Sequence, residues 1–259
     1  MASDRVFSLF LRRGRGRTND LGKMSLGDLV VAYATYPTIL LYAALAAGLM
    51  SAAVWTGAFA GLPQTLRTFG AIAALLVLYP FFEYALHRFV LHNRLLYKSP
   101  LTADVWKRIH YDHHRDPTRL DVLFGSPSNT LLAIFAPSVP LGYAIGGWSA
   151  ALSNGSVAVC IFCFYEFCHC VQHLNFTPKS AWLRRIKKQH MAHHFHNETG
   201  NFGITLTFVD RLFGTYYEDG QTRPRSVHVY DLGYDEEEAR RYPWVADRSR
   251  EPADRASAS

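Results

Sequence analysis

Residues 129–165 read NTLLAIFAPSVPLGYAIGGWSAALSNGSVAVCIFCFY and contain no charged side chain. A helix needs about 20 apolar residues to cross a bilayer, so this run is long enough for two spans. We predict them at about residues 129–147 and 151–172, joined by a turn within GGWSAALSNGS. Pro137 and Pro140 predict a kink in the first of the two.

A second run without charge lies between Asp28 and Arg67. It predicts a span at about residues 38–60, entered through Pro37, a residue that the first turn of a helix tolerates. A further span is predicted at about residues 69–91, where charged residues occur only near the far end. These runs favour an all-α integral membrane protein with four transmembrane helices.

Lysine and arginine mark the predicted cytoplasmic side, because positively charged loops are retained there. Both termini, the connection between the second and third spans, and a helical cap are therefore expected in the cytoplasm. Cations beside anionic lipid account for the net charge of +6 without a nucleic-acid partner. The basic residues form three sets: Arg12, Arg13, Arg15, Arg17 and Lys23; then Arg88, Arg94, Lys98, Lys107, Arg108, Arg115 and Arg119; and finally Lys179, Arg184, Arg185, Lys187 and Lys188.

Ten of the twelve histidines fall into four groups that all lie on this predicted cytoplasmic side. Residues three or four apart share a helix face, so each H-x-x-H-H run directs three imidazoles into one sector. His87 and His92 are five apart, about 140° around a regular helix, and cannot share a face. We expect either a π-like turn there or two different metals. The groups are His87 and His92; His110, His113 and His114; His169 and His173; His190, His193 and His194.

Metal binding would give these imidazoles partners for about twenty ring nitrogens. One closed tetrahedral zinc site needs four ligands, so the count favours two metals with about five histidines each. Asp112 or Asp210 is expected to hold a ligand histidine through its outer ring nitrogen. A structural zinc protein stays an alternative. A metal transporter is a remote one, because transport requires polar groups at mid-membrane depth.

The order H-x4-H, H-x2-H-H, H-x3-H, H-x2-H-H between membrane spans resembles the fatty acid hydroxylase superfamily. The resemblance covers about residues 75–217, including HHRDP after the second group and HNETGNFGITLTFVDRLFGTYY after the fourth. It implies an oxygen-dependent membrane enzyme with a two-metal site, di-iron when active and able to take zinc, and no catalytic residue beyond the metal centre. The ligands it implies are His87, His92, His110, His113, His114, His169, His173, His190, His193 and His194.

The resemblance further implies hydroxylation of a lipid, and 2-hydroxylation of a fatty acyl chain is the reaction we favour. A carotenoid ring hydroxylase or a sterol or lipid desaturase is the alternative within the same chemistry. The 37 residues before position 38 are too few for a fused cytochrome b5 domain, so electrons are expected from a separate electron-transfer protein. We expect the lipid to enter between spans lined by Phe81, Phe82, Tyr84, Phe164, Tyr165 and Phe167.

Three regions are predicted along the chain. Residues 1–28 form a basic cytoplasmic arm. Residues 29–222 form the membrane-embedded hydroxylase domain, whose cap comprises residues 92–128 and 173–222. Residues 223–259 form a charged, partly disordered tail that begins as a solvated edge of the cap.

Overall fold

A computed structural model describes residues 20–123, 127–218 and 222–249, and all regular elements in these ranges are helical. The arginines of the predicted basic arm and the last ten residues of the tail lie outside the described residues. The α-helices are α1 (Leu26–Ala34), α2 (Pro37–Trp55), α3 (Gly61–Leu86), α4 (Ala103–Trp106), α5 (Asp112–Arg115), α6 (Leu120–Leu123), α7 (Pro127–His173), α8 (Ala181–Phe195), α9 (Phe208–Leu212), α10 (Glu236–Arg241) and α11 (Trp244–Ser249). Two π-helical segments, His87–Leu91 and Lys107–Tyr111, continue α3 and α4, and short 3₁₀ segments cover Leu21–Lys23 and Leu96–Lys98.

Among the described residues, three continuous helical stretches are long and apolar enough to cross a membrane. They are Pro37–Trp55, Gly61–Lys98 and Pro127–His173, as judged by length and composition. The prediction of an all-α protein is therefore confirmed. The number of long helices is smaller than the predicted number of spans, because α7 contains both the third and the fourth predicted span.

The α7 helix folds back on itself at Gly146 and Gly147, where the backbone leaves helical geometry and Gly147 has a φ of 72°. The Asn154 side-chain amide donates a hydrogen bond of 3.4 Å to the Ser138 carbonyl oxygen. In a straight helix, residues sixteen apart would be separated by about 24 Å. The residues before and after the glycine pair therefore run antiparallel, and the four-span count stays a prediction.

The break in α7 lies at the first two residues of the predicted turn GGWSAALSNGS and is distinct from the kink that the sequence predicted at Pro137 and Pro140. Both prolines lie inside the helix, and non-helical angles occur only at the two glycines among the described residues of α7. Glycine adopts a positive φ without the clash that a Cβ causes, so the reversal forms there. A Cβ added at Gly142 would lie 2.7 Å from the Ala150 carbonyl oxygen, so glycine also allows the two halves to approach closely.

The other predicted span boundaries shift by several residues. The α2 helix ends at Trp55, five residues before the predicted end, and Gly57 turns the chain with a φ of 86°. The α3 helix begins at Gly61, eight residues before the predicted start. Arg67 therefore lies within α3 rather than in the connection, at the end of the bundle where its charge can reach the membrane surface.

The two ends of the helical bundle differ in chemistry. At one end, Gln64 of α3 donates to the Gly146 carbonyl at 2.9 Å and to the Ser149 hydroxyl at 3.0 Å. Trp55 and Trp148 are exposed at this end, as aromatic residues commonly are where a protein meets the membrane interface. The carboxyl ends of α3 and α7 lie at the opposite end and carry the histidines.

Small side chains bring α2 and α7 together. The Ser156 hydroxyl donates to the Ala46 carbonyl at 2.7 Å, and a Cβ added at Gly155 would lie 3.6 Å from the Leu49 side chain, an ordinary contact distance. Such residues let helix backbones approach in a membrane. Apolar side chains such as Val77 and Leu132 point outward and are exposed, as expected where the solvent is lipid.

The cap has its own hydrophobic core, built partly from the predicted tail. Tyr97, Trp106 and Tyr111 pack with residues from beyond position 228, including Tyr234 and Val245. The expectation of a solvated cap edge is wrong for this part, because it carries enough apolar and aromatic side chains to bury. Residues 228–245 are thus part of the structure that surrounds the histidines.

Candidate metal centre

Nine of the ten predicted ligand histidines form two clusters whose ring nitrogens can converge on a metal ion. The five-histidine cluster contains His113, His169, His173, His190 and His194. The four-histidine cluster contains His87, His92, His110 and His193. Within each cluster the candidate ligand atoms lie within 4.8 Å of one another. The ligand assignment itself stays a prediction.

His114 lies between the two clusters. Its ring centroid is 4.1 Å from that of His194 and 4.6 Å from that of His110. His114 is fully buried, and its Nδ1–H donates to the Val229 carbonyl at 2.8 Å. The structure therefore brings all ten histidines to one end of the bundle.

His87 and His92 reach the same cluster because the chain between them is π-helical. The His92 amide donates to the His87 carbonyl at 3.1 Å, five residues back, which is the hydrogen bond that defines a π turn. The two rings lie 5.0 Å apart. The predicted π-like turn is confirmed, and the alternative that these two histidines belong to different metals is not needed.

Each H-x-x-H-H run is divided between the two clusters. His113 belongs to the five-histidine cluster, whereas His110 lies in a second π-helical segment and belongs to the four-histidine cluster. On α8, His190 and His194 belong to the first cluster and His193 to the second. The two runs thus join the clusters into one centre, rather than each run serving a single sector as the sequence predicted.

The spacing of ring nitrogens fits shared coordination. His92 Nε2 is 2.8 Å from His110 Nε2 and 3.1 Å from His193 Nε2. His173 Nε2 is 2.9 Å from His190 Nε2. Two nitrogens at right angles on an ion, each at about 2.1 Å, would be about 3.0 Å apart. These nitrogens therefore already have the separation that a common ion requires.

Several ring nitrogens are buried without a hydrogen-bond partner in the part of the chain that is described. Both nitrogens of His113 and both of His194 are in this state, as are His87 Nε2, His114 Nε2 and His169 Nε2. Native proteins rarely leave buried polar atoms unsatisfied, because desolvation without a partner is costly. Metal ions would satisfy these nitrogens. The histidines present therefore fit the two-metal site that the family resemblance implied.

Burial also keeps the imidazoles of the cap in the form that binds metal. Desolvation, aided by neighbouring histidines, lowers the pKa of the cap histidines well below the usual 6.5, and desolvation lowers that of His114 to about 3. A neutral imidazole has a free lone pair for an ion, whereas a protonated one has none. The histidines with pKa values well below 6.5 are His110, His113, His190, His193 and His194.

Backbone carbonyls orient the outer ring nitrogens of three histidines. His87 Nδ1–H donates to the Phe202 carbonyl at 2.5 Å, and His193 Nδ1–H donates to the Gly200 carbonyl at 2.8 Å. Together with the bond from His114 to Val229, these contacts leave each Nε2 free to bind an ion. A carbonyl behind a ligand histidine is a common support for metal sites.

The two acids expected behind the histidines have other roles. Asp112 pairs with Lys107 at 2.7 Å. Asp210 accepts from the Phe202 and Gly203 amides at 2.9 and 2.7 Å. That prediction was wrong for both residues, because the carbonyls already occupy the outer ring nitrogens. Asp210 instead holds the loop whose carbonyls orient His87 and His193.

A cavity of about 550 Å³ extends from the clusters into the bundle. His87, His110 and His169 line the end near the clusters, and the wall continues to Leu75 on α3 and Ala158 on α7. Twelve residues of helix between positions 75 and 87 correspond to about 18 Å. The cavity is thus an elongated space whose walls are mostly apolar.

The aromatic residues predicted to contact substrate divide among different surfaces. Phe82 and Tyr165 line the cavity. Phe164 instead stacks on Trp182, and Phe167 packs against Tyr33. Neighbouring residues are about 100° apart around a helix, so a run of aromatics cannot share one face.

Three features of the site were not found from the sequence. Glu83 and Glu166 lie in the cavity wall, one helical turn before His87 and His169, and their spacing from those histidines was the available signal. The Val229 carbonyl has no such signal, because every residue carries a carbonyl.

The fatty acid hydroxylase family model matches residues 72–215, which is more than half of the 259-residue chain. All four histidine groups lie within the matched range. The segment 222–249, which supplies the Val229 carbonyl, lies outside it.

Curated proteins with similar sequences are lipid hydroxylases. The ceramide very long chain fatty acid hydroxylase SCS7 of Saccharomyces cerevisiae is 32% identical over 159 residues, covering 58% of this chain and 38% of that protein. The dihydroceramide fatty acyl 2-hydroxylase FAH1 of Arabidopsis thaliana is 32% identical over 138 residues, covering 53% and 56%. The fatty acid 2-hydroxylase of Homo sapiens is 27% identical over 143 residues, covering 53% and 37%. The chain matches less than two thirds of the length of each.

A solved structure of full-length scs7p, in which only the hydroxylase domain is visible, has a similar fold. The TM-score is 0.55 at 25% sequence identity, and the alignment covers 80% of this chain and 71% of that one. The similarity therefore extends from the histidine motifs to the arrangement of the helices.

Proposed function

The chain belongs to the fatty acid hydroxylase family, and on this basis we propose that it hydroxylates a fatty acyl chain of a membrane lipid. The reaction we favour is 2-hydroxylation by a non-haem di-iron, oxygen-dependent monooxygenase. Two of the similar proteins, from Arabidopsis thaliana and Homo sapiens, are named for 2-hydroxylation. Transfer of that activity to this chain is the proposal.

The observation that carries the proposal is the connection between the histidine clusters and the cavity. His87 and His110 of one cluster and His169 of the other line the same mostly apolar space. A space about 18 Å long and bounded by apolar residues suits an extended acyl chain. A carbon of that chain would then lie beside both clusters.

We propose that the ten histidines bind two iron ions, with His114 between the clusters. Imidazole also suits zinc, which could occupy the same nitrogens. Two bound iron ions supply the chemistry that side chains lack, in which O₂, two electrons and two protons convert a C–H bond into C–OH and release water.

The chain's own residues hold this centre and shield it. The Gly200, Phe202 and Val229 carbonyls keep three imidazoles in the tautomer with a free Nε2. The apolar cavity wall excludes water from the reacting carbon, which limits side reactions.

We propose that the protein spans the membrane four times and that the two halves of α7 cross it separately. Its termini and histidine centre face the cytoplasm, where the basic connections are retained. A separate electron-transfer protein supplies the electrons on that side. The apolar helices and the family membership support an integral membrane protein, and the proposals on topology rest on that.

Expression in a host that lacks hydroxylated lipids tests the proposal. Lipid mass spectrometry is expected to reveal acyl chains that carry one additional oxygen at carbon two, and growth under ¹⁸O₂ is expected to place the label in the new hydroxyl. The control is the same host with His113→Ala, in which the products should be absent.

Other outcomes identify the alternatives. Altered carotenoids would indicate a ring hydroxylase, and chains that lose two hydrogens would indicate a desaturase. Metal uptake into sealed vesicles without lipid oxidation would indicate a transporter. An unchanged lipid profile with metal bound would indicate a structural metal protein.

A further inference from the structure

Glu166 is a buried acid in the cavity that the protein itself does not satisfy. Its side chain lines the cavity, the residue is 4% exposed, and its Oε2 has no hydrogen-bond partner among the described residues. A buried carboxyl oxygen without a partner in a mostly apolar wall is costly, so its retention calls for a partner beyond the described residues.

Glu83 lies on the facing helix α3 at nearly the same distance from the histidines, and both of its carboxyl oxygens accept hydrogen bonds. Its Oε1 accepts from the Ile204 and Thr205 amides at 2.6 and 3.0 Å. Its Oε2 accepts from the Thr205 hydroxyl at 2.5 Å and also contacts the Tyr79 hydroxyl. Glu83 therefore ties α3 to the loop after α8, whereas Glu166 remains available to a ligand.

The position of Glu166 relative to the histidines indicates which part of a substrate it meets. It precedes His169 by three residues on α7, so it lies about 4.5 Å further from the clusters along the helix. Beyond it the wall continues with apolar residues such as Phe162, Ile161 and Ala158. An acyl tail would occupy that apolar end, and the lipid headgroup would lie on the cap side.

We propose that Glu166 binds a hydroxyl group carried by the acyl chain itself, on the third carbon, next to the carbon that is oxidised. This inference rests on the proposed function and names its substrate class as lipids with a hydroxylated acyl chain. A hydroxyl both donates and accepts, so it can pair with the carboxyl in either protonation state. A plain methylene chain would leave Glu166 unpaired when it displaces water, which makes it the poorer substrate.

The test compares three substrates that share one long-chain amine and one chain length. Their amide-linked acyl chains are unsubstituted, hydroxylated on the third carbon, or hydroxylated near the middle. Initial rates are measured in membranes containing wild type, Glu166→Leu and Glu166→Gln. Cys160→Ala is the matched control, because Cys160 is on the same helix but exposed on the outer face.

The wild type is expected to favour the chain hydroxylated on the third carbon by at least about tenfold in kcat/KM over the unsubstituted chain. Glu166→Leu should remove this preference, mainly by raising KM for the chain hydroxylated on the third carbon. Glu166→Gln should keep most of it, because its amide still forms hydrogen bonds, and Cys160→Ala should match wild type.

The outcomes separate this proposal from the proposed function. If wild type oxidises all three chains equally, or if Glu166→Leu keeps the preference, the role of Glu166 is refuted while the hydroxylase function stands. A preference for the mid-chain hydroxyl would also refute the placement argued from depth. Oxidation of none of the acyl chains, with metal bound, would refute the proposed function.

Discussion

The five-histidine and four-histidine clusters contain similar ligands but are held by different parts of the fold. Four members of the five-histidine cluster lie on the long helices α7 and α8, where regular helical spacing brings them together. Three members of the four-histidine cluster lie in or directly after π-helical segments. Two of its members also depend on loop carbonyls. One cluster is thus set mainly by helix packing, and the other by local backbone geometry and a loop.

This difference matters because the loss of one contact displaces a loop more than it displaces a packed helix. Packed helices keep their positions through many apolar contacts, whereas a loop depends on a few hydrogen bonds. We therefore expect mutations in the loop to weaken the four-histidine cluster selectively. Mutation of a central ligand should affect both clusters, because they share α8 and the second H-x-x-H-H run.

The largest effect is expected for His113→Ala and His193→Ala, one from each cluster. Each removes a candidate ligand from a buried site that offers no substitute, so product should fall below detection and bound metal should decrease. Product is measured by lipid mass spectrometry and metal by elemental analysis of the purified protein. Arg185→Ala, on the exposed face of α8, is the control.

Both histidine variants should remain in the membrane, because the apolar helices are unchanged. Full activity in either variant would show that the proposed ligand set is wrong. If only one variant lost activity, the two clusters would not act as a single centre.

Asp210→Asn should have the next largest effect and should distinguish the clusters. An amide group in place of the carboxylate would turn one donor toward the Phe202 or Gly203 amide and leave that amide without an acceptor. The carbonyls behind His87 and His193 would shift, and metal affinity at the four-histidine cluster should fall about 10–100-fold. Metal content during titration with a chelator should then show two steps rather than one. Loss of both metals in a single step would contradict the distinction.

Tyr234→Ala should act through the tail and have a smaller effect on the centre. The Tyr234 ring packs against Tyr97 at 5.1 Å and Tyr111 at 5.8 Å, in the core that supports the segment containing Val229. Removing the ring should lower the free energy of unfolding by about 3 kcal/mol. The thermal midpoint in detergent measures this loss, and hydrogen exchange of residues 222–249 locates it.

Tyr234→Phe is the matched variant for this position. It keeps the ring and removes only the hydroxyl that donates to the Tyr242 carbonyl at 2.6 Å, so it should lose about 1 kcal/mol. Equal losses in the two variants would mean that packing of the tail is not what stabilises this region.

Lys107→Ala should have the smallest effect. Lys107 donates to both carboxylate oxygens of Asp112 at 2.7 and 2.8 Å and so spans the π-helical segment that contains His110. Both side chains are partly exposed, and an ion pair of this kind contributes about 1 kcal/mol or less. Activity should fall by less than about threefold at low salt, and Lys107→Arg should restore it. A loss as large as that of His193→Ala would mean that the π segment depends on this pair.

The sequence predicted the candidate site more completely than it predicted how the site is supported. The i, i+4 pair His169 and His173 follows from helix geometry alone. The 140° between His87 and His92 predicted either a π turn or two different metals, and the structure has the π turn. Neither the division of the H-x-x-H-H runs nor the position of His114 could be predicted. Both depend on the sides from which α7 and the loop after α8 approach.

The missed supports have physical reasons of their own. Backbone carbonyls have no signature in a sequence, so the acids Asp112 and Asp210 were the visible candidates for a role that carbonyls fill. The reversal in α7 was predicted within GGWSAALSNGS, and Gly146 and Gly147 at the start of that stretch form it, because glycine takes the required φ without strain. The kink predicted at Pro137 and Pro140 is a separate feature.

The sequence by itself determined that apolar helices of membrane-spanning length carry histidine motifs at one end, because hydrophobic run length and helical spacing are local properties. Only the tertiary structure decided which imidazoles share a cluster, which carbonyls orient them, and that one carboxyl oxygen of Glu166 has no hydrogen-bond partner among the described residues. Those features arise where segments distant in the chain meet, and their side-chain directions there depend on packing rather than on the order of residues.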